Sequence, residues 1–254
     1  MDEASLHRRL EPRGFYVTTA RGLPDPAEPW SFAERLTGES VHMVERQIIR
    51  AVPGGRSFAS SHGPAPLHND LQLFLGRPAD LQVLTCVRPA ARGGATLLFD
   101  TWSLLDRLRG RDLFDALFDV ERPFPFVSGR LVCPTVARFD GRTSFVCSPQ
   151  SAPSDALAAR VREELERSAR DEIELAAGDV LVADNHRALH GRTAFDDPSR
   201  ELVRVLIWLR EARPVPGWIS GRARDVRNAG PSSSGPLPAE SLGVVRAMMA
   251  GRSP

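Results

Sequence analysis

A mainly β fold of barrel or jelly-roll type, carrying a few helices, is what this 254-residue sequence predicts. Three observations lead there. Apolar runs of strand length recur along the chain with Gly, Pro or Asp-Gly turn signals between them. Helical periodicity is confined to a few segments. The two kinds of segment do not alternate regularly, which argues against a doubly wound parallel sheet. The length suits a single unit, since barrels and sandwiches reach about 200–250 residues as one domain. Residues 1–254 are therefore read as one domain, with its core over about 10–212 and a C-terminal extension over 213–254.

The elements follow in order. Gly14–Thr18 is a short strand, and Pro24 and Pro26 break the chain after it. Ser31 is placed to cap a helix through about Leu36, which Gly38 ends. Residues 41–50 partly alternate and read as a strand. Residues 53–66 are rich in Gly, Ser and Pro and form a long loop; loops of that length in a domain are usually functional or mobile. Leu81–Val87 and Thr96–Phe99 are strands, the second preceded by the turn Gly93-Gly94. Residues 102–118 carry leucines at helical spacing. Val132–Val146 reads as a hairpin about Asp140-Gly141. Ser154 is placed to cap a helix from Asp155 to about Ala169, with Glu-to-Arg pairs at helical spacing. Then come a segment Glu172–Leu175, the turn Ala177-Gly178-Asp179, the strand Val180–Ala183 and the long apolar strand Leu202–Leu209. Residues 229–238 read as a linker, with a short helix over roughly 239–249.

Composition narrows the function classes. Hydrophobic residues make up 42%, enough for a core. The 33 basic residues, all arginine, nearly balance 32 acidic ones, giving a net charge of +1. That balance supplies no positive field for nucleic acid or a membrane surface. Cys86, Cys133 and Cys147 are odd in number, widely spaced and without a CxxC pair. They read as free thiols of a reduced, cytoplasmic protein rather than a disulfide framework. The opening residues lack the apolar stretch of a signal peptide, and no run of about 18 apolar residues offers a membrane span.

The richest local signal is Pro66-Leu67-His68-Asn69-Asp70. On a strand, residues i and i+2 face the same side, so the His68 imidazole and the Asp70 carboxylate can approach one ion together. The segment Ala183-Asp184-Asn185-His186-Arg187-Ala188-Leu189-His190-Gly191-Arg192 offers His190 as a third ligand. Two histidines and one carboxylate leave three positions open, the donor set of a non-haem iron(II) oxygenase. Each residue alone has a plainer reading: a polar loop histidine, a turn carboxylate, a strand-end histidine. Arg204 lies within the apolar run Leu202–Ile207, where a buried charge needs a partner. That partner is either an Asp or Glu of the chain or the carboxylate of a ligand.

The surrounding pattern goes further. His68-x-Asp70, Arg88-Pro89-x-x-x-Gly93-Gly94-x-Thr96-Leu97, Gly178-Asp179-Val180-Leu181-Val182-x-Asp184-Asn185-x-Arg187-x-x-His190-Gly191-Arg192 and Arg200-x-x-x-Arg204 together resemble the taurine dioxygenase and clavaminate synthase superfamily. The opening Arg13–Val17 and Arg21-Gly22-Leu23 are similar to that family's first strand and turn, and the likeness covers roughly residues 10–212. The resemblance implies a distorted double-stranded β-helix, cupin-like in its jelly-roll plan. It implies Fe(II) held by His68, Asp70 and His190, with 2-oxoglutarate as cosubstrate and O2 as oxidant. It implies that Thr96 and Arg204 bind the distal carboxylate of 2-oxoglutarate, with Arg200 a secondary basic group. The implied reaction is hydroxylation of an unactivated carbon in a small amino-acid-like or carboxylate metabolite, in a natural-product pathway. Ala95 and His186 depart from the family's usual polar residues at those positions. His186 reads as a residue behind the ligands or at the surface. Gln72, Trp102, Arg122, Phe124 and Phe126 are candidates to face the substrate, by closeness to the motifs alone.

Two other readings remain. A zinc-dependent hydrolase built on His68, Asp70, His186 or His190 lacks an HExxH motif and an obvious base. A non-catalytic jelly-roll binding module has no use for a complete set of His68, Asp70, His190 and Arg204.

Overall fold

The computed structural model describes residues 3–38, 41–126, 129–148 and 155–226. The chain runs α1 (Glu3–Leu10), β1 (Phe15–Thr19), α2 (Pro29–Thr37), β2 (Val41–Arg50), β3 (Ala65–His68), β4 (Leu81–Arg88) and β5 (Thr96–Asp100). It continues through α3 (Thr101–Leu108), α4 (Asp112–Asp119), β6 (Arg122–Phe126), β7 (Gly129–Cys133), β8 (Val136–Phe139), β9 (Arg142–Phe145) and α5 (Ala156–Arg167). The last elements are β10 (Asp171–Ile173), β11 (Asp179–Asp184), β12 (Ala188–Arg192), β13 (Glu201–Leu209), α6 (Gly217–Ser220) and β14 (Arg224–Asp225).

Two antiparallel sheets carry the fold, in the orders β1-β11-β4-β13-β2 and β10-β5-β12-β3. Central strand β13 is paired along its length with β2 on one side and β4 on the other. Its nearly continuous apolar sequence follows from being covered on both faces. One face packs Val203, Val205 and Ile207 with Val180 and Val182 against Leu6 and Leu10 of α1 and Phe32 and Leu36 of α2. The other face joins Leu84, Leu181 and Leu202 to Leu98 and Ala188 of the second sheet. That sheet's far side, through Phe99 and Leu189, is covered by α3, α4 and α5. The result is a distorted double-stranded β-helix, mainly β, with two open sheets rather than a closed barrel.

Several expectations shift in detail. The helix read over 102–118 is two helices, because Gly110 turns the chain at φ 75° between α3 and α4. The α2 helix starts at Pro29, whose fixed φ suits a first turn, and not after Ser31; Gly38 closes it in the left-handed conformation, as read. Asp155 itself caps α5, accepting from the Ala158 amide at 2.9 Å, while Ser154 lies outside the described residues. The hairpin about Asp140-Gly141 is only β8 and β9; Val132 belongs to β7, which pairs with β6. The start of the C-terminal extension joins the fold, since β14 pairs with β8 and Ile219 and Ala223 are buried. The linker and helix read over 229–249 lie outside the described residues. Among those residues no helix is long and apolar enough to cross a membrane.

Candidate metal centre

His68 ends β3, and His190 sits in the middle of β12 directly opposite it in the antiparallel register. Their rings lie 4.3 Å apart between centroids. Asp70 follows β3 by two residues and brings Oδ2 to 4.0 Å from His190 Nε2. One ligand atom from each of the three lies within 4.8 Å of the others. Gly191 is what lets the two strands come this close. A Cβ there would stand 2.7 Å from the Ala65 carbonyl oxygen.

The hydrogen bonds fix which nitrogen of each ring carries no proton. His68 Nδ1 lies 2.8 Å from the Pro66 carbonyl oxygen, which can only accept. The proton is therefore on Nδ1, and Nε2 keeps its lone pair. The Gln82 amide nitrogen donates to Asp70 Oδ2 at 2.9 Å and lies 2.9 Å from His190 Nε2. A carboxylate only accepts, so the facing group is the amide N–H, and His190 Nε2 must carry a lone pair too. Burial pushes the His190 pKa down to about 3, aided by His68, and burial lowers that of His68 as well. For Asp70, burial works upward, but Arg204, His190, His68 and Gln82 outweigh it and hold the carboxyl below its ordinary value. Two neutral imidazoles and one carboxylate at neutral pH are the protonation states a divalent ion requires. Two nitrogens and a carboxylate oxygen suit Fe(II), and no thiolate competes among the three. The donor set fits iron.

The backbone of Asp70 is held from the β11–β12 turn. Asn185 Oδ1 accepts from the Asp70 amide at 2.9 Å, and its Nδ2 donates to the Asp70 carbonyl at 2.9 Å and to that of Ala79 at 3.1 Å. His186, beside it, points elsewhere: its Nε2 lies 3.3 Å from Asp80 Oδ1, within a buried cluster that includes Arg77 and Arg142. It is not part of the metal group, because β-geometry rather than a helix separates it from His190. Arg187 holds Asp100 through a two-pronged contact at 2.7 and 2.8 Å and so ties β12 to the end of β5.

Beside the triad lies a half-open pocket with a cavity of about 80 Å³, lined by Thr96, Arg192, Arg200, Leu202 and Arg204 among others. Arg204 Nη1 donates to both oxygens of Asp70 at 2.9 and 3.1 Å, and Nη2 donates to Gln47 at 2.7 Å. Of the two partners the sequence left open for this charge, the structure supplies the chain's own carboxylate. Arg200 is placed differently. It is buried, donates to the Gly94 carbonyl at 2.9 Å, and has no carboxylate within ion-pair distance among the described residues. Burial, with Arg192 nearby, pushes its pKa down to about 10. Gly94, at φ 75°, leaves room for it, since a Cβ would stand 2.7 Å from Arg200 Nε.

Of the residues picked as facing substrate, those with described side chains do not line this pocket. Trp102 lies under the Arg187 guanidinium, 4.1 Å from it. Arg122 pairs with Asp155 at 2.6 Å and lines a separate cavity beneath α5. Phe124 belongs to a core cluster with Leu71 and Leu73. Gln72 does not line the pocket, and the side chain of Phe126 lies outside what is described. Gln82, Gln47 and Phe58 were missed. The one available signal was a lone amide inside the otherwise apolar run Leu81–Val87.

A family model described as taurine catabolism dioxygenase TauD, TfdA family, matches residues 13–206. The chain belongs to this family. A dioxygenase, str8 of Strobilurus tenacellus, is 29% identical over 175 residues, 62% of this chain. The match spans only 41% of that longer protein. Among solved structures, an asparagine oxygenase in complex with Fe(II), 3-hydroxyasparagine and succinate superimposes with a TM-score of 0.65 at 19% identity, over 81% of this chain and 77% of that one. The PvcB protein of Pseudomonas aeruginosa gives 0.59 at 21%, over 82% and 80%. The non-haem iron oxygenase OrfP, in complex with Fe and α-ketoglutaric acid, gives 0.56 at 22%, over 80% and 77%. These likenesses establish that the TauD-family chain shares their fold.

Proposed function

We propose that this TauD-family chain is an Fe(II)- and 2-oxoglutarate-dependent oxygenase that hydroxylates a small amino-acid-like or carboxylate metabolite. The observation that carries the reading is the pairing of His68 with His190 beside Asp70, each imidazole presenting an unprotonated Nε2, that of His190 faced by the Gln82 amide. His68, Asp70 and His190 would hold the ion, a donor set that leaves room for cosubstrate and oxygen. Iron with 2-oxoglutarate supplies a coupled oxidation, in which the cosubstrate becomes succinate and carbon dioxide as a substrate carbon is hydroxylated.

The chain's own residues orient and insulate. Arg204 and Gln82 fix the carboxylate of Asp70, and Asn185 fixes its backbone. We assign the distal carboxylate of 2-oxoglutarate to Arg200 and Thr96, reversing the roles that the sequence pattern gave to Arg200 and Arg204. Arg204 contacts a proposed metal ligand directly, whereas the distal carboxylate belongs at the far end of the cosubstrate. Arg200, just before β13, lines the same pocket as Leu202 and Arg204, and its buried charge has no carboxylate within ion-pair distance among the described residues. The free thiols Cys86, Cys133 and Cys147 support a reducing, cytoplasmic setting. Amino-acid substrates are suggested by the asparagine oxygenase and by OrfP, whose structures include one with (3S)-hydroxy-L-Arg.

Anaerobic titration of the protein with Fe(II) and then 2-oxoglutarate tests the reading, through the weak visible charge-transfer band of the chelate. A screen of amino acids for succinate release then seeks the substrate. A site that retains zinc in preference to iron and develops no band with 2-oxoglutarate would turn the argument to a hydrolase.

A further inference from the structure

Residues 51–64 join β2 to β3 without regular secondary structure, and Phe58 and Ala59 among them form part of the wall of the pocket. The Phe58 ring lies 5.3 Å from that of His68. The outer part, including Pro53, Gly54, Arg56 and Ser57, is exposed. A segment of this composition keeps one conformation only where something ties it down.

The tie is Arg192. Its Nη1 donates to the Phe58 carbonyl at 2.9 Å, and its Nη2 donates to the carbonyls of Ser61, at 3.0 Å, and Gly63. Arg192 is buried and, among the described residues, no carboxylate lies within ion-pair distance. Its charge is met by three carbonyl dipoles of one loop, an arrangement that a planar five-donor group can make and a point-like ammonium cannot. A second contact supports it. The Phe195 amide donates to the His62 carbonyl at 3.2 Å, and the two rings lie 5.2 Å apart. The Phe195 ring also receives both neighbouring guanidiniums, Arg192 at 4.7 Å and Arg200 at 5.0 Å. Arg192 follows His190 by two residues on β12, so the side chains of tie and proposed metal ligand emerge on the same face of one strand.

We propose that segment 51–64 is a strap over the reaction pocket, and that Arg192 is the positioning residue that holds it shut and brings Phe58 against His68. A closed strap keeps water away from the pocket and strengthens the electrostatic contacts inside it. What the strap covers rests on the functional reading above; that Arg192 ties it does not.

Arg56 makes the strap testable, because trypsin can cut after this exposed residue. The full-length protein is treated with trypsin in the absence of ligand, and mass spectrometry follows scission of the Arg56–Ser57 bond. Thermal melting is recorded in parallel. Losing the charged hydrogen bonds in Arg192→Gln is expected to raise the scission rate about 10- to 150-fold with global melting little changed. A purely structural role would instead lower the melting temperature and speed cleavage throughout the chain. Arg192→Lys keeps the charge but not the fork, and must fall between wild type and Arg192→Gln. It also keeps the test decisive should Arg192→Gln fail to fold. Scission in a folded Lys or Gln variant at the wild-type rate overturns the proposal. A separate arm adds Mn(II) and 2-oxoglutarate, which should slow scission in wild type. Absence of that protection, with the variant ratio intact, counts against the pocket reading and leaves the tie standing.

Discussion

Asn185 grips the backbone of Asp70 from both sides, accepting its amide and donating to its carbonyl, each at 2.9 Å, across 115 residues of chain. A side-chain amide carries an acceptor oxygen and a donor nitrogen on the same carbon, so it can meet an N–H and a C=O together. Asn185→Ala should lower iron affinity about 10- to 100-fold, the usual effect of removing a partner behind the ligands. Asn185→Asp keeps the acceptor only, and should fall between. Calorimetric metal titration of folded variants measures this. Wild-type affinity in Asn185→Ala would show that the β3 end holds Asp70 unaided.

The two arginines of the pocket should separate cleanly. Arg200→Ala should weaken 2-oxoglutarate binding by about 2–5 kcal/mol, because a buried anion loses its partner. That is roughly 30- to 4,000-fold, with iron binding retained. Arg204→Ala should act mainly on the metal, since it removes the contacts that steady Asp70. Cosubstrate affinity of iron-loaded variants decides it. The opposite pattern would return the distal carboxylate to Arg204.

Asp80 should be a main support of stability. It is fully buried among Arg77 at 2.5 Å, Arg142 at 3.1 Å and His186 at 3.3 Å, and also accepts the Leu209 amide. Burial alone would raise its pKa, but the His186 contact and the two arginines bring it down to about 2. A lowered pKa contributes stability that is complete above the unfolded value of about 3.9 and is lost as pH falls through about 2. Asp80→Asn should cost about 3–5 kcal/mol at neutral pH, by removing the buried carboxylate of two guanidiniums that would then keep only the exposed Asp140, at 3.3 and 3.4 Å. The gap to wild type should narrow below about pH 4. Urea unfolding at pH 7 and pH 3 tests both statements, and a gap unchanged at pH 3 would contradict the second.

The thiols should be silent. Burial pushes Cys133 up to about 12 and Cys147 up to about 11, and raises Cys86 as well. At pH 8 the thiolate of Cys147 is then about a thousandth of the total, so alkylation by iodoacetamide should be slow until the protein unfolds. Rapid labelling of folded protein at Cys147 would disprove this.

What the sequence made legible follows from how local each signal is. His68 and Asp70 are two apart on an extended segment, so their common side is set by backbone geometry alone. The strands β4, β5, β11 and β13 were readable from their apolar runs, and β2 from its partial alternation. The break at Gly110 was not, because leucines recur at helical spacing on each side of it, Leu104 and Leu108 before and Leu113 and Leu117 after, so the two stretches read as one. Arg204 showed that it needed a partner but not which one; that depended on β13 lying between β2 and β4 and facing Asp70. Gln82 and Gln47 act through neighbours on other strands, and nothing within either segment names those neighbours. Trp102, Arg122 and Phe124 were picked by nearness in sequence, which strand and helix direction then overrode.

The cross-strand placing of His68 opposite His190 also sets a timetable. Asp70 leaves the ribosome 115 residues before Asn185, a lag of roughly 6–25 s at ordinary synthesis rates. Through that interval the first two proposed ligands exist without the strand that completes the set. Edge strand β3 pairs only with β12 in its sheet, so it has no place to settle until that strand arrives. Capture of an ion at the proposed site would therefore be a late event in the life of the nascent chain, and a bound metal would certify that synthesis has passed β12 and that the two halves of the fold have met.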